Sequence, residues 1–177
     1  MYQRILVPVD GSPTSMSGLG EAIRLAALTG ASIRLVHVLD AWSYTNGFES
    51  PTVYREQVLP FMRKEGARIL DDASRKVLEA SLAVSTVLIE KVTQRVSELV
   101  IAQAEDWGAD VIVIGSHGRR GFDRAMMGSD TEQIVRLAAV PVLVVRDADD
   151  PASKRVQAPL PRAAGRARST GAWQTAG

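Results

Sequence analysis

The chain has 177 residues, of which 46% are apolar, 5% aromatic and 23% charged, with a formal net charge of +1, proportions that fit one globular domain with a real core. It has no cysteine and two histidines, His37 and His117, which excludes disulfide frameworks, thiolate metal centres and thiol catalysis and leaves no basis for a multi-histidine zinc site. No apolar run approaches the ~20 residues of a membrane helix, and the stretch after Met1-Tyr2-Gln3-Arg4 is too short for a secretory signal, so a cytoplasmic protein with no membrane contact is expected.

Ile5-Leu6-Val7-Pro8-Val9 is a short apolar run closed by the turn pair Asp10-Gly11, the pattern of a buried strand. Ser12-Pro13 offers an N-cap and a proline for the first helical position. Leu19, Ala22, Ile23, Ala26 and Ala27 then recur at helical spacing up to a stop at Gly30. A second strand spans Ser32 to Leu39. Residues 40–55 show no period and read as a long connection, the kind that forms lids or binding loops or else is disordered. Within it Trp42, Tyr44 and Phe48 either close over a ligand or pack on the body.

Met62, Ile69, Leu70, Ala73 and Val77 stripe a helix over about 61–81, with Pro60 marking its beginning or a kink. A third strand covers Ser85 to Ile89, and Val96, Leu99, Val100 and Trp107 stripe a helix ending near Gly108. The most apolar strand, Asp110-Val111-Ile112-Val113-Ile114, opens into Gly115. A last helix, Ser129 to Ala138, precedes a fifth strand, Pro141 to Val145. Strands of continuous Val, Ile and Leu alternating with helices predict an α/β fold, a parallel sheet buried on both faces.

Residues 151–177 carry five basic residues and no acid, which leaves 16 basic and 20 acidic residues to 1–150. An acidic body has no overall attraction to nucleic acid. The tail is rich in Pro, Ala, Gly, Ser and Thr and is expected to be disordered, either a solvated extension or a basic arm for nucleic acid or an acidic partner. Deleting 151–177 is expected to leave the melting temperature nearly unchanged; a large drop would mean that the tail docks on the body.

Several nucleotide and hydrolase signatures are missing. There is no GxxxxGK[ST], no HExxH and no GxSxG. Gly18-Leu19-Gly20 begins a GxGxxG, but Ile23 takes the last glycine's place within a helix, so that match is chance or helix packing. What remains follows the fourth strand: Gly115-Ser116-His117-Gly118, nine residues, then Gly128-Ser129. Gly118 would let backbone N–H groups approach a ligand closely. Gly128-Ser129 sits where a helix begins, with free N–H groups and the helix dipole facing any phosphate. Arg119, Arg120 and Arg124 add cations between them.

On these residues the chain resembles the universal stress proteins, specifically their ATP-binding branch. Gly115, Gly118, Gly128 and Ser129 match that branch's G-x2-G-x9-G-[ST], and Ile5-Leu6-Val7-Pro8-Val9-Asp10-Gly11-Ser12 matches its first strand. Trp107-Gly108-Ala109-Asp110 and Pro141-Val142-Leu143-Val144-Val145 match as well. The resemblance covers 1–147, taken as the nucleotide-binding domain, with 148–177 as the basic tail. It implies a Rossmann-like five-stranded sheet of order 3-2-1-4-5, with its topological switch between strands one and four.

By the same resemblance Pro8, Val9 and Asp10 line the nucleoside end, the Asp10 carboxylate accepting from ribose hydroxyls, and Val38 packs on adenine. Gly115, His117, Gly118, Gly128, Ser129 and Thr131 hold the phosphates, with Arg119 as a nearby cation. Plainer roles stay open: Asp10 and Ser129 as helix caps, His117 as an exposed loop histidine with no orienting partner in sight. Asp130 would repel phosphates unless a cation bridges them.

The implied function is an ATP-binding regulatory module of a stress response, with ATP, ADP or AMP as ligand and Mg²⁺ or Mn²⁺ carried on the phosphates. No catalytic residue and no protein metal site is expected. A slow ATP hydrolase and a nucleotide-free dimeric interaction protein are the alternatives. The partners are a homodimer mate, paired through the fifth-strand edge Val142–Val145, and a downstream protein.

Overall fold

The computed structural model describes residues 1–40, 50–90, 94–118 and 127–146. Trp42, Tyr44, Phe48, Arg119, Arg120, Arg124 and the basic tail lie outside the described residues. Five strands, β1 (Arg4–Pro8), β2 (Ser32–Leu39), β3 (Val84–Glu90), β4 (Val111–Gly115) and β5 (Val142–Val145), form one sheet in the order β3-β2-β1-β4-β5. All four pairings are parallel. The helices are α1 (Pro13–Thr29), α2 (Pro51–Val53), α3 (Leu59–Glu79), α4 (Val96–Trp107) and α5 (Ser129–Leu137).

Successive strand residues point to opposite faces, so β1 serves two cores. Ile5, Val7 and Val9 pack with Leu19, Ala22 and Ala26 of α1 and with Ile69, Ala73 and Val77 of α3. Leu6 packs with Ile112 of β4, Val100 and Ala104 of α4 and Ile134 of α5. Ile5, Leu6 and Val7 are all 0% exposed, which is why this strand reads as a continuous apolar run. The α1 start is as expected: Ser12 Oγ accepts from the Ser15 N–H at 3.2 Å, and Gly30 closes the helix at φ 73°. Gly18 is there for packing, since a Cβ would lie 3.2 Å from the Gly115 nitrogen.

One expectation is corrected. Helical structure begins at Pro51, not near 61, and reaches α3 through a π-helical segment, Tyr54–Val58. Ser50 Oγ accepts from the Val53 N–H at 3.3 Å, the same Ser-Pro start that opens α1. The Leu59 N–H reaches back five residues to Tyr54, and Pro60, which has no N–H to donate, follows directly on this widened turn. None of the residues in the π segment is buried, so no apolar stripe marks it in the sequence.

The edge of β3 is tied to α3 by Arg63, which donates to both Glu90 oxygens at 2.7 and 2.9 Å. That hydrogen bonding holds the Glu90 carboxyl below its ordinary value. The pair's contribution is therefore complete above the usual glutamate range and is lost as pH falls through the lowered value. Both side chains are about half exposed, so the contribution is small. Among the described residues no helix is long and apolar enough to cross a membrane.

Candidate functional site

The β1–β4 junction, where the sheet order reverses, opens into a cleft at the carboxyl ends of the strands. Pro8 accounts for the opening. Odd residues of β1 turn their N–H and C=O groups toward β2, as Val9 does in donating to the Val36 carbonyl at 2.8 Å. Pro8 therefore faces β4 with no N–H to give, and the β1–β4 register stops at Leu6↔Ile112.

The cavity in this cleft measures about 270 Å³. Pro8, Val9, Asp10, Val38, Gly115, His117, Gly118, Gly128, Ser129 and Thr131 all line it. The structure thus brings together ten of the eleven site residues expected from the sequence; the other, Arg119, lies outside the described residues. Its apolar wall comes from Val36 and Val38 of β2, Ile114 of β4, and Val96 and Val100 of α4. In the sequence the α4 valines show only a core stripe, because nothing local tells which turn of a helix faces a cleft.

Asp10 orders the turn into α1 without being its cap. Its Oδ1 accepts from the Ser12 N–H at 2.9 Å, while Ser12 itself caps the helix. Its Oδ2 faces Gly118, where an added Cβ would stand only 2.7 Å away. Gly118 and Gly115 do not have a positive φ; both are needed for close approach. At Gly115 a Cβ would lie 2.8 Å from the Thr14 carbonyl group, in the first turn of α1. The strand end and the helix start meet backbone to backbone.

His117 is half-buried and has orienting partners that the sequence did not disclose. One ring nitrogen, Nε2, lies 3.0 Å from the Thr14 hydroxyl, and Nδ1 lies 3.1 Å from the Ser116 hydroxyl. At the start of α5 the Gly128 N–H donates to the Ser116 carbonyl at 2.8 Å, tying the start of α5 to the end of β4. The Thr131 hydroxyl donates to the Gly115 carbonyl at 3.0 Å, so that proton ties α5 to β4 and leaves the main-chain N–H as what Thr131 can offer an anion. Helix geometry leaves the Ser129, Asp130 and Thr131 N–H groups without intrahelical acceptors at this end of the cavity. Asp10, Asp40 and Asp130 also line the cavity. Among the described residues no three ligating side chains form a metal cluster.

Residues 1–146 match the family described as the universal stress protein family. Universal stress protein YxiE of Bacillus subtilis is 28% identical over 82% of this chain and 100% of its own length. A universal stress protein structure from Burkholderia pseudomallei is 32% identical, with a TM-score of 0.64 over 81% of this chain and 95% of that one. The structure of MJ0577 from Methanocaldococcus jannaschii is 25% identical, with a TM-score of 0.71 over 82% and 96%. Two more distant structures share the fold: a universal stress protein in complex with cAMP (19% identical, TM-score 0.57, 82% and 98% covered) and one from Archaeoglobus fulgidus in complex with dAMP (21%, 0.58, 81% and 98%). With the family matched along 146 residues and YxiE aligned over its entire length, the chain belongs to the universal stress protein family.

Proposed function

We propose that this chain is an ATP-binding regulatory protein, a nucleotide-dependent module of a cytoplasmic stress response. The observation that carries the reading is one cavity bounded by the Asp10 carboxylate, the Gly115–Gly118 loop and the amino end of α5, with a wall of valines opposite. Each part suits a piece of an adenine nucleotide. The apolar wall of Val38, Val96 and Val100 suits the base, with Pro8 and Val9 beside the nucleoside. Asp10 can accept from ribose hydroxyls. The N–H groups of Gly118, Ser129 and Thr131 and the dipole of α5 suit phosphates, alongside His117 and Arg119. Mg²⁺ or Mn²⁺ travels on the phosphates and offsets Asp130. The dAMP and cAMP complexes of proteins with this fold agree with an adenine nucleotide as ligand class.

Calorimetric titration of nucleotide-stripped protein with ATP and Mg²⁺ is the test, with ADP and AMP alongside. Asp10→Ala removes the ribose contacts along with the Oδ1 acceptor of the Ser12 N–H, leaves the phosphate donors in place, and is expected to weaken binding about tenfold, the size of one charge-assisted hydrogen bond. Undetectable ATP binding by the wild-type chain would overturn the assignment. The protein acts as a binding module, so turnover is expected below ~1 s⁻¹, and a faster rate would instead favour an ATP hydrolase.

A homodimer through the outer edge of β5 belongs to the same proposal. β5 ends the sheet, and an apolar edge strand exposes unpaired backbone groups. Val142 and Val144 pack inward on the α4–α5 core, whereas Leu143 is 39% exposed. Leu143→Lys is therefore expected to shift the protein toward monomer in light scattering without unfolding it. A wild-type monomer at micromolar concentration would defeat this arrangement.

A further inference from the structure

The β1–β2 ladder stops one step early. In a parallel pair, a residue that donates to one partner carbonyl accepts in turn from the N–H two positions along. Val9 donates to the Val36 carbonyl, so its own carbonyl is the natural acceptor for the Val38 N–H. Yet the register ends at Pro8↔Val36, and the Val9 carbonyl lies 2.7 Å from Nδ1 of His37. A carbonyl only accepts, so the proton of this bond sits on Nδ1. The ring is 4% exposed and wedged against α3, where a Cβ at Gly66 would come within 2.8 Å of its Cδ2. Val38, which lines the cavity, is left with no main-chain acceptor for its N–H among the described residues.

We infer that His37 is a positioning residue: its imidazole takes the Val9 carbonyl and so keeps the Val38 N–H out of the ladder, turned to the cleft as a donor for the base. This rests on the nucleotide reading given above, and the experiment separates the two. Amide hydrogen exchange on the full chain without nucleotide comes first. The Val38 amide is expected to exchange at least about a hundredfold faster than the laddered Val36 amide, as an unbonded N–H does. His37→Leu keeps volume and loses the donor; the Val9 carbonyl then captures the Val38 N–H, which becomes protected. ATP affinity is expected to fall about tenfold while inorganic triphosphate binds as before.

His37→Asn loses volume but keeps an N–H donor the same number of bonds from the backbone as Nδ1, and it is expected to bind ATP within about threefold of wild type. A packing role predicts the opposite ranking, with Asn worse than Leu. That ranking, or a wild-type Val38 amide as protected as Val36, would overturn the inference. Absence of ATP binding by the wild type would overturn the proposed function alone, and the exchange contrast would still decide what His37 does.

Discussion

Gly118→Val is expected to weaken ATP binding at least about a hundredfold while leaving the melting temperature within a few degrees of wild type. Gly118 is exposed and has no positive φ, so a side chain there strains neither the core nor the backbone. The damage is confined to the cavity. A Cβ would stand 2.7 Å from Asp10 Oδ2, and a branched residue must push the carboxylate aside or fill the space where phosphates approach the loop. Two or three charge-assisted hydrogen bonds are lost together, each worth roughly 1.5–3 kcal/mol. Calorimetry with ATP and a thermal melt of the same sample check both halves. A variant binding within threefold of wild type would mean that the phosphates do not lie against this loop.

Gly115→Ala should fail differently, by destabilising the fold. The added methyl would meet the Thr14 carbonyl group at 2.8 Å and the Ser15 nitrogen at 3.1 Å. These are backbone atoms in the capped first turn of α1, held by Ser12, and they cannot rotate away as a carboxylate can. Gly18 approaches the same strand end from the next turn of the helix, so α1 would have to lift off β4 along its start. Overpacking of this kind costs about 1–3 kcal/mol, and near 2 kcal/mol a chain of this size loses ~4–8 °C in melting temperature. A melt indistinguishable from wild type would show that the helix can shift freely. The two variants would thus separate the glycines of one motif, Gly118 by its expected effect on ligand binding and Gly115 by its packing against α1.

Local chemistry made most of the elements legible. β1 and β4 are apolar on both faces because helices cover both, so they read as unbroken runs of Val, Ile and Leu. Ser12-Pro13, Gly30 and Gly108 act through their own caps and φ angles, and such signals need no tertiary context. The lead-in to α3 shows no stripe because periodicity registers only a buried face, and no residue of Tyr54–Val58 is fully buried. Its Ser50-Pro51 start is the local signal, the same Ser-Pro pair that opens α1 at Ser12-Pro13.

By itself the sequence determined the five strands and the four longer helices, though not the Pro51–Val58 lead-in to α3, and which loop carries the glycines. The sheet order followed from the family resemblance alone, because periodicity does not say which strand lies beside which. The tertiary structure decided what each glycine avoids, and it brought Thr14 to His117, Val96 and Val100 to the cavity wall, and the His37 ring to the Val9 carbonyl. Residues 14 and 117, or 9 and 37, are distant along the chain and meet only when parallel strands and their crossover helices stack. Hydrogen bonds and close contacts between such residues depend on register and helix placement, and these are set by the packing of the whole sheet rather than by any local run of residues.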